Sequence, residues 1–287
     1  MALAPFQAAF NGVTIGDGTA YDITSMDGLE SLPAVTQTDI PRERDHGQFL
    51  GGMFAGGREV TLTFETIGTT DAGFRSALDA LGAAFTINAF TELPFSWNLP
   101  GMAQVSRQVN VRLLAREIPL DIDYAHRKAV CAVRMWATDP RIYDSTTQTL
   151  TTTLPLSNGG AAWPITWPTA WGSGGGSGSL TITNAGGFNA PAIIVITGPV
   201  DNPTIENATE GKHLTFNITL ANTDTLTVDL RNKTVILNGT ASRRNTLSQT
   251  DASSWWDLLP GNNTFNYRAN TTQVGSTAAI SWQSTWI

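Results

Sequence analysis

The sequence predicts a mainly β protein of two domains, and three observations carry that reading. The chain has 287 residues, more than one core usually organises and enough for two units of roughly 100 to 200 residues. Charged residues make up only 14% of it, against about 25% in an average soluble protein, and Thr, Ser, Asn and Gly fill the difference. Thr suits strands because its branched Cβ packs on a pleated surface, while Asn and Gly suit the turns between them. Finally, apolar and polar residues alternate over many short stretches, the period of a half-buried strand.

In the first half, REVTLTFE sets Val60, Leu62 and Phe64 against Glu59, Thr61, Thr63 and Glu65. RQVNVRLLAR sets Val109, Val111, Leu113 and Ala115 against Gln108, Asn110 and Arg112. A third run, from about Tyr124 to Ala137, turns Ala129, Cys131, Val133 and Met135 inward and Lys128 and Arg134 outward. Each has one wet and one dry face. One helix interrupts them. In TTDAGFRSALDALGAAF, Thr70 and Asp71 are candidate caps, and Phe74, Ala77, Leu78 and Leu81 recur at spacings of three and four, one apolar stripe.

Between Ile40 and Gly57 the sequence PRERDHGQFLGGMFAGG keeps no period, with charge at one end and Gly at the other. It reads as a long loop or a hairpin, and segments of this length inside compact domains are often functional. Phe49, Leu50, Met53 and Phe54 are too apolar to be left in open water. With Arg42 and Arg44 they are the candidate residues of a contact with a neighbouring subunit.

The third strand must stop at Asp139-Pro140, because Pro140 lacks the amide that a ladder needs and holds Asp139 extended. Residues 145–179, rich in Thr, Pro, Gly and Ser, read as a connecting segment between domains at 1–144 and 180–287. Trp163, Trp167 and Trp171 within it require burial somewhere. Beyond it, HLTFNITLA alternates Leu214, Phe216, Ile218 and Leu220, DTLTVDLRN continues with Leu226, Val228 and Leu230, and KTVILNG leads into a turn at Asn238-Gly239. The chain ends on TAAISWQSTWI, with Ile280, Trp282 and Trp286 at alternating positions. Short strands at this spacing signify a sandwich or jelly roll.

The formal net charge is -7, which argues against stable nucleic-acid binding through a basic stripe. Residues 1–144 hold 17 Asp and Glu against 11 Lys and Arg, and residues 145–287 hold 7 against 6, so the first half carries six of the seven excess negative charges. Cys131 sits among apolar neighbours and has no second cysteine to pair with, the pattern of a small buried hydrophobe. The start MALAPFQAAF lacks a basic region and is broken by Pro5, and no apolar run approaches a membrane span, so neither a secretory leader nor a membrane partner is expected. The Asn-x-Ser/Thr triplets at Asn207, Asn217, Asn232, Asn238, Asn262 and Asn270 are then best explained by composition.

No catalytic constellation emerges, and neither an enzyme activity nor a cofactor is expected. The Gly-Ser run at 172–179 does not form Gly-x-Ser-x-Gly and lacks the Lys of a phosphate loop. His46, His126 and His213 have no Cys or carboxylate at metal-ligand spacing. Asp121 and Asp123 fall on one side of an extended segment, the arrangement of a solvated edge rather than of two carboxyls flanking a scissile bond.

Four segments together resemble the distal tail proteins of phages with long, non-contractile tails: MWATDPRIYD at 135–144, ITGPVDNPTIEN at 196–207, TLTVDLRNKTVILNG at 225–239 and SSWWDLLPGNNTFNYRA at 253–269. The resemblance implies an N-terminal β-rich, ring-forming domain with one helix and a C-terminal galectin-like β-sandwich. It implies a homo-oligomer, a hexameric ring at the end of the tail tube, with the tube protein on one side and a tape-measure or tail-associated tip protein on the other. It places the protein in the virion tail tip after assembly in the host cytoplasm, with DNA traversing the ring, and it supplies no catalytic residues. A galectin's sugar site does not carry over, since no matching cluster of His, Asn, Arg and Trp is present. Two alternatives stay open: a tail-tube subunit, and a carbohydrate-binding sandwich mediating cell-wall attachment through exposed Trp255, Trp256 or Trp282.

Overall fold

In the computed structural model, residues 3–88, 90–102, 106–155, 177–248, 254–271 and 273–287 are described. Trp163, Trp167, Trp171 and most of the Gly-Ser run lie outside them. The chain divides into two compact units, residues 1–146 with Ile287, and residues 147–286.

The first unit is built on β1 (Gln7–Phe10), β2 (Val13–Gly16), β3 (Tyr21–Asp27), four short strands β4 (Val35–Gln37), β5 (Ile40–Pro41), β6 (Gln48–Phe49) and β7 (Met53–Ala55), then β8 (Arg58–Ile67), helix α1 (Asp71–Ala84), β9 (Leu93–Asn98), β10 (Arg107–Glu117), β11 (Lys128–Ala137) and β12 (Ile142–Asp144). Seven of them form one antiparallel sheet in the order β2-β1-β9-β10-β11-β8-β3, with β12 paired to β10. The β8–β11 register runs unbroken from Arg58↔Ala137 to Ile67↔Lys128, so the two alternating patterns mesh and bury Val60, Leu62, Phe64, Cys131, Val133 and Met135 on one face. Burial raises the Cys131 thiol pKa above its ordinary value, partly opposed by its contact with the Thr66 hydroxyl. The third strand begins four residues later than its alternation suggests, because residues 123–126 wind into a 3-10 turn closed by Arg127 at φ 61°.

Helix α1 begins where the sequence places it. Thr70, at extended φ and ψ, accepts a hydrogen bond from Gly73 N through its side chain, answering one of the amides that a helix start leaves without a partner. The helix buries Phe74, Leu78, Leu81 and Ala84, each large side chain contributing about 1.5–3 kcal/mol. Ala77 is only half-buried, but its carbonyl accepts from the Tyr21 hydroxyl at 2.9 Å. Phe85, just past the helix, stacks on Phe10 with ring centroids 4.9 Å apart.

The second unit is a two-sheet sandwich. Its strands are β13 (Gln148–Thr153), β14 (Ser179–Asn184), β15 (Ala192–Thr197), β16 (Val200–Asp201), β17 (Thr204–Asn207), β18 (Lys212–Thr215), β19 (Thr219–Leu220), β20 (Thr225–Asp229), β21 (Thr234–Leu237), β22 (Ala241–Ser242), β23 (Gly261–Arg268) and β24 (Thr277–Trp282). One sheet runs β13-β24-β15-β20-β21-β22, the other β14-β23-β17-β18, and β16 pairs with β19. Ile194, Ile196, Leu226, Val228 and Ile280 of the first sheet meet Ile182, Ile205, Leu214, Phe265 and Tyr267 of the second in one core. Residues 148–153, read from sequence as part of a connecting segment, pair in full register with β24. HLTFNITLA is not one strand: its first part pairs with β17, and Thr219 and Leu220 pair with β16.

Tyr267 makes this core sensitive to alkali. It is fully buried, its hydroxyl lies 2.6 Å from Ser276 Oγ, and burial pushes its pKa from 10.0 up to about 12. A folded-state pKa above the unfolded one contributes stability that is complete below the unfolded value and disappears as pH rises through the folded one. The second unit will therefore lose on the order of 2–3 kcal/mol between pH 10 and 12. Denaturant titrations followed by Trp fluorescence at pH 9, 11 and 12 should show this fall in the natural chain and a smaller one in Tyr267→Phe. Equal slopes would remove Tyr267 as the cause.

Candidate assembly surface

Residues 35–55 form a two-stranded antiparallel arm in the first unit. Near its root β4 pairs with β7, Val35↔Ala55 to Gln37↔Met53, and farther out β5 pairs with β6, Ile40↔Phe49 and Pro41↔Gln48. Between these ladders the two sides stay joined by Thr38 N to Gly52 O at 3.0 Å, Gly51 N to Asp39 Oδ1 at 2.7 Å and Gly52 N to Thr38 Oγ1 at 2.7 Å. The approach is close enough that a Cβ on Gly51 would run into the Thr38 carbonyl, which is why glycine stands there.

None of the arm's residues is buried. Leu50 is 94% exposed, and Ile40, Phe49, Met53 and Phe54 are each more than half exposed. The Arg42 guanidinium lies over the Phe49 ring at 4.8 Å from its centroid and reaches Asp45 at 3.4 Å, and Arg44 is exposed beside it near the bend. All six candidate residues, Arg42, Arg44, Phe49, Leu50, Met53 and Phe54, thus stand on one arm. A lone two-stranded ribbon is marginal in water, and large exposed apolar side chains grouped in this way are the kind of surface that partners cover.

Arg58, which the sequence reading passed over, holds the arm's root. It is only 2% exposed and begins β8. Its Nη1 donates to the carbonyls of Gly28, Leu29 at 3.2 Å and Ser31 at 2.7 Å, and its Nε to Pro140 O at 3.0 Å. Burial lowers its pKa from the ordinary arginine value, an effect that the nearby Glu30 carboxylate opposes. The signal was in REVTLTFE itself, since Arg58 has the parity of Val60, Leu62 and Phe64 and so had to point inward.

The Trp residues considered as sugar platforms do not serve that role. Trp255, Trp256 and Trp282 are 8%, 3% and 4% exposed and belong to the second unit's core. Sugar stacking needs an open aromatic face, so the exposed-Trp reading is corrected. Among the described residues no group of three or more His, Cys, Asp or Glu could hold a metal ion, and no helix is long and apolar enough to cross a membrane.

Residues 185–286 match the model of the siphovirus-type tail component family, C-terminal domain. No curated protein matches the chain in sequence. Its fold is similar to the crystal structure of the Dit protein of phage SPP1, described as a paradigm of the hub adsorption apparatus in phages infecting Gram-positive hosts, with a TM-score of 0.66 and 13% identity over 99% of this chain and 100% of that one. It is also similar to a chain of the phage P2 baseplate in its activated conformation with Ca, with a TM-score of 0.50 and 8% identity over 96% and 97%. Residues 185–286 thus carry the pattern of the siphovirus-type tail component C-terminal domain, and the chain as a whole has the fold of the SPP1 Dit protein.

Proposed function

We propose that this protein forms a hexameric ring at the distal end of a long, non-contractile phage tail, joins the tube to the host-adsorption tip and lets DNA pass. The first unit closes the ring through its arm, and the sandwich of the second unit is the second domain. The tail tube protein contacts one side of the ring and a tape-measure or tail-associated tip protein the other, after assembly in the host cytoplasm. The part is structural and performs no chemistry.

The observation that carries this reading is the arm, which holds Ile40, Phe49, Leu50, Met53 and Phe54 exposed, with nothing among the described residues burying them. Covering them with a copy of the same chain removes that exposure, and a head-to-tail contact of this kind closes into a ring when its rotation permits. Charge supports DNA passage. On the open face of β3, β8 and β11, Asp22, Asp27, Glu59 and Glu65 share the surface with Lys128 and Arg134, and a net acidic wall does not hold phosphates.

Mass photometry of the purified chain is expected to find a particle six times the chain's mass, and electron-microscopy averages of it a six-fold ring with an open centre. A chain that stays monomeric at every concentration reached, or an oligomer with a filled centre, would sink the proposal.

A further inference from the structure

At the root of the arm lies a cleft of about 250 Å³, walled by Leu32, Pro33, Ala34 and Trp136, with Glu59 also among its lining residues. It belongs wholly to the first unit. Arg58, which holds the turn beside it, is also among its lining residues. An apolar cavity of ~150 Å³ already takes a benzene ring, so this one has room for a phenyl or isobutyl group.

We propose that this cleft receives the Phe49–Leu50 stretch of a second copy's arm, with Arg44 of the incoming arm meeting Glu59 at the rim. The inference rests on the ring reading above and deepens it, by naming the two surfaces that meet. A chain cannot satisfy its own cleft in this way. Phe49 lies six residue steps from Ala55, a reach of up to ~20 Å from the root, and the paired β4–β7 and β5–β6 ladders hold the arm out. Knob and cleft are therefore different surfaces of one chain, which makes the contact head-to-tail and repeatable around a ring.

The chemistry of the two sides corresponds. The knob brings apolar side chains, and the cleft offers an indole, a proline ring and a leucine. Charge agrees as well. Arg42 on the arm is engaged with Asp45 and Phe49, which leaves Arg44 as the cation to be matched. Glu59 at the cleft has only a 3.9 Å contact with Arg134, a distance that permits it to take a closer partner.

Cysteine cross-linking tests the pairing. Leu32 is 68% exposed and Leu50 94%, so Leu32→Cys and Leu50→Cys disturb no core, and Cys131 is buried. The double variant, mildly oxidised, should give a ladder of covalent multimers on a non-reducing gel. The two single variants mixed should give dimers and nothing larger, and neither alone should cross-link. Glu59→Arg should lower the yield about ten-fold, and adding Arg44→Glu should restore it. A ring by mass photometry without this cross-link, a cross-link in Leu50→Cys alone, or a charge reversal without effect would overturn the inference and leave the ring standing. Absence of any oligomer would overturn both.

Discussion

Replacing Leu50 and Phe54 together by serine will leave a folded chain that no longer assembles. Both side chains stand in water in the isolated protein, so the unfolding midpoint should move by no more than a surface change does, within about 0.5 kcal/mol. Assembly is different. If two large apolar side chains are buried at each contact, their loss removes about 3–6 kcal/mol per interface, equivalent to roughly 10²- to 10⁴-fold in its dissociation constant. A ring multiplies that loss, because every copy carries the change. Mass photometry alongside thermal unfolding separates the outcomes. A monomer with an unchanged midpoint is the expected result, and an oligomer that persists at the natural concentration would place the contact elsewhere.

The contrast between the arm and the strands around it explains what the sequence could disclose. Alternation is visible in a strand when one face is dry, as in β8, where Val60, Leu62 and Phe64 are buried and Glu59 and Glu65 are not. The arm has no dry face among the described residues, so its hydrophobic residues follow no period, and its pairing rests on backbone bonds and on Gly51. What could be read was the anomaly itself, Phe49, Leu50, Met53 and Phe54 in a segment without structure of its own. β13 stayed hidden for another reason: Thr occupies both of its faces, so burial of Thr152 and exposure of Thr151 leave no mark in hydropathy. HLTFNITLA shows the reverse. Its alternation is real, with Leu214, Phe216 and Leu220 all buried, yet the chain changes ladder partner midway, because hydrophobic period reports which side is dry and not which strand is next door. Trp255 and Trp256 mislead for a related reason. Neighbouring residues on a strand would point to opposite faces, but these two lie outside any strand and both turn inward.

Arg58→Leu is expected to be the most destabilising single change in the first unit. The substitution keeps bulk and apolar contact but leaves the carbonyls of Gly28, Leu29, Ser31 and Pro140 without their donor. Hydrogen bonds to a charged group each contribute about 1.5–3 kcal/mol, and a buried acceptor left alone incurs its full desolvation cost. The recovery of one buried side chain's hydrophobic contribution offsets part of this, for a net loss of about 3–5 kcal/mol. In a unit of this size that lowers the midpoint of thermal unfolding by roughly 10–20 °C. Arg58→Lys should recover less than half, since an ammonium cannot span several carbonyls from one planar fork. The site of the damage identifies the cause. The carbonyls of Gly28, Leu29 and Ser31 lie in the turn from β3 into the arm, so limited proteolysis of Arg58→Leu should cut first at residues 28–34, at a temperature where the natural chain is intact there. A variant that loses stability but is cut elsewhere would show that Arg58 supports the sheet in general and has no particular hold on the arm's root.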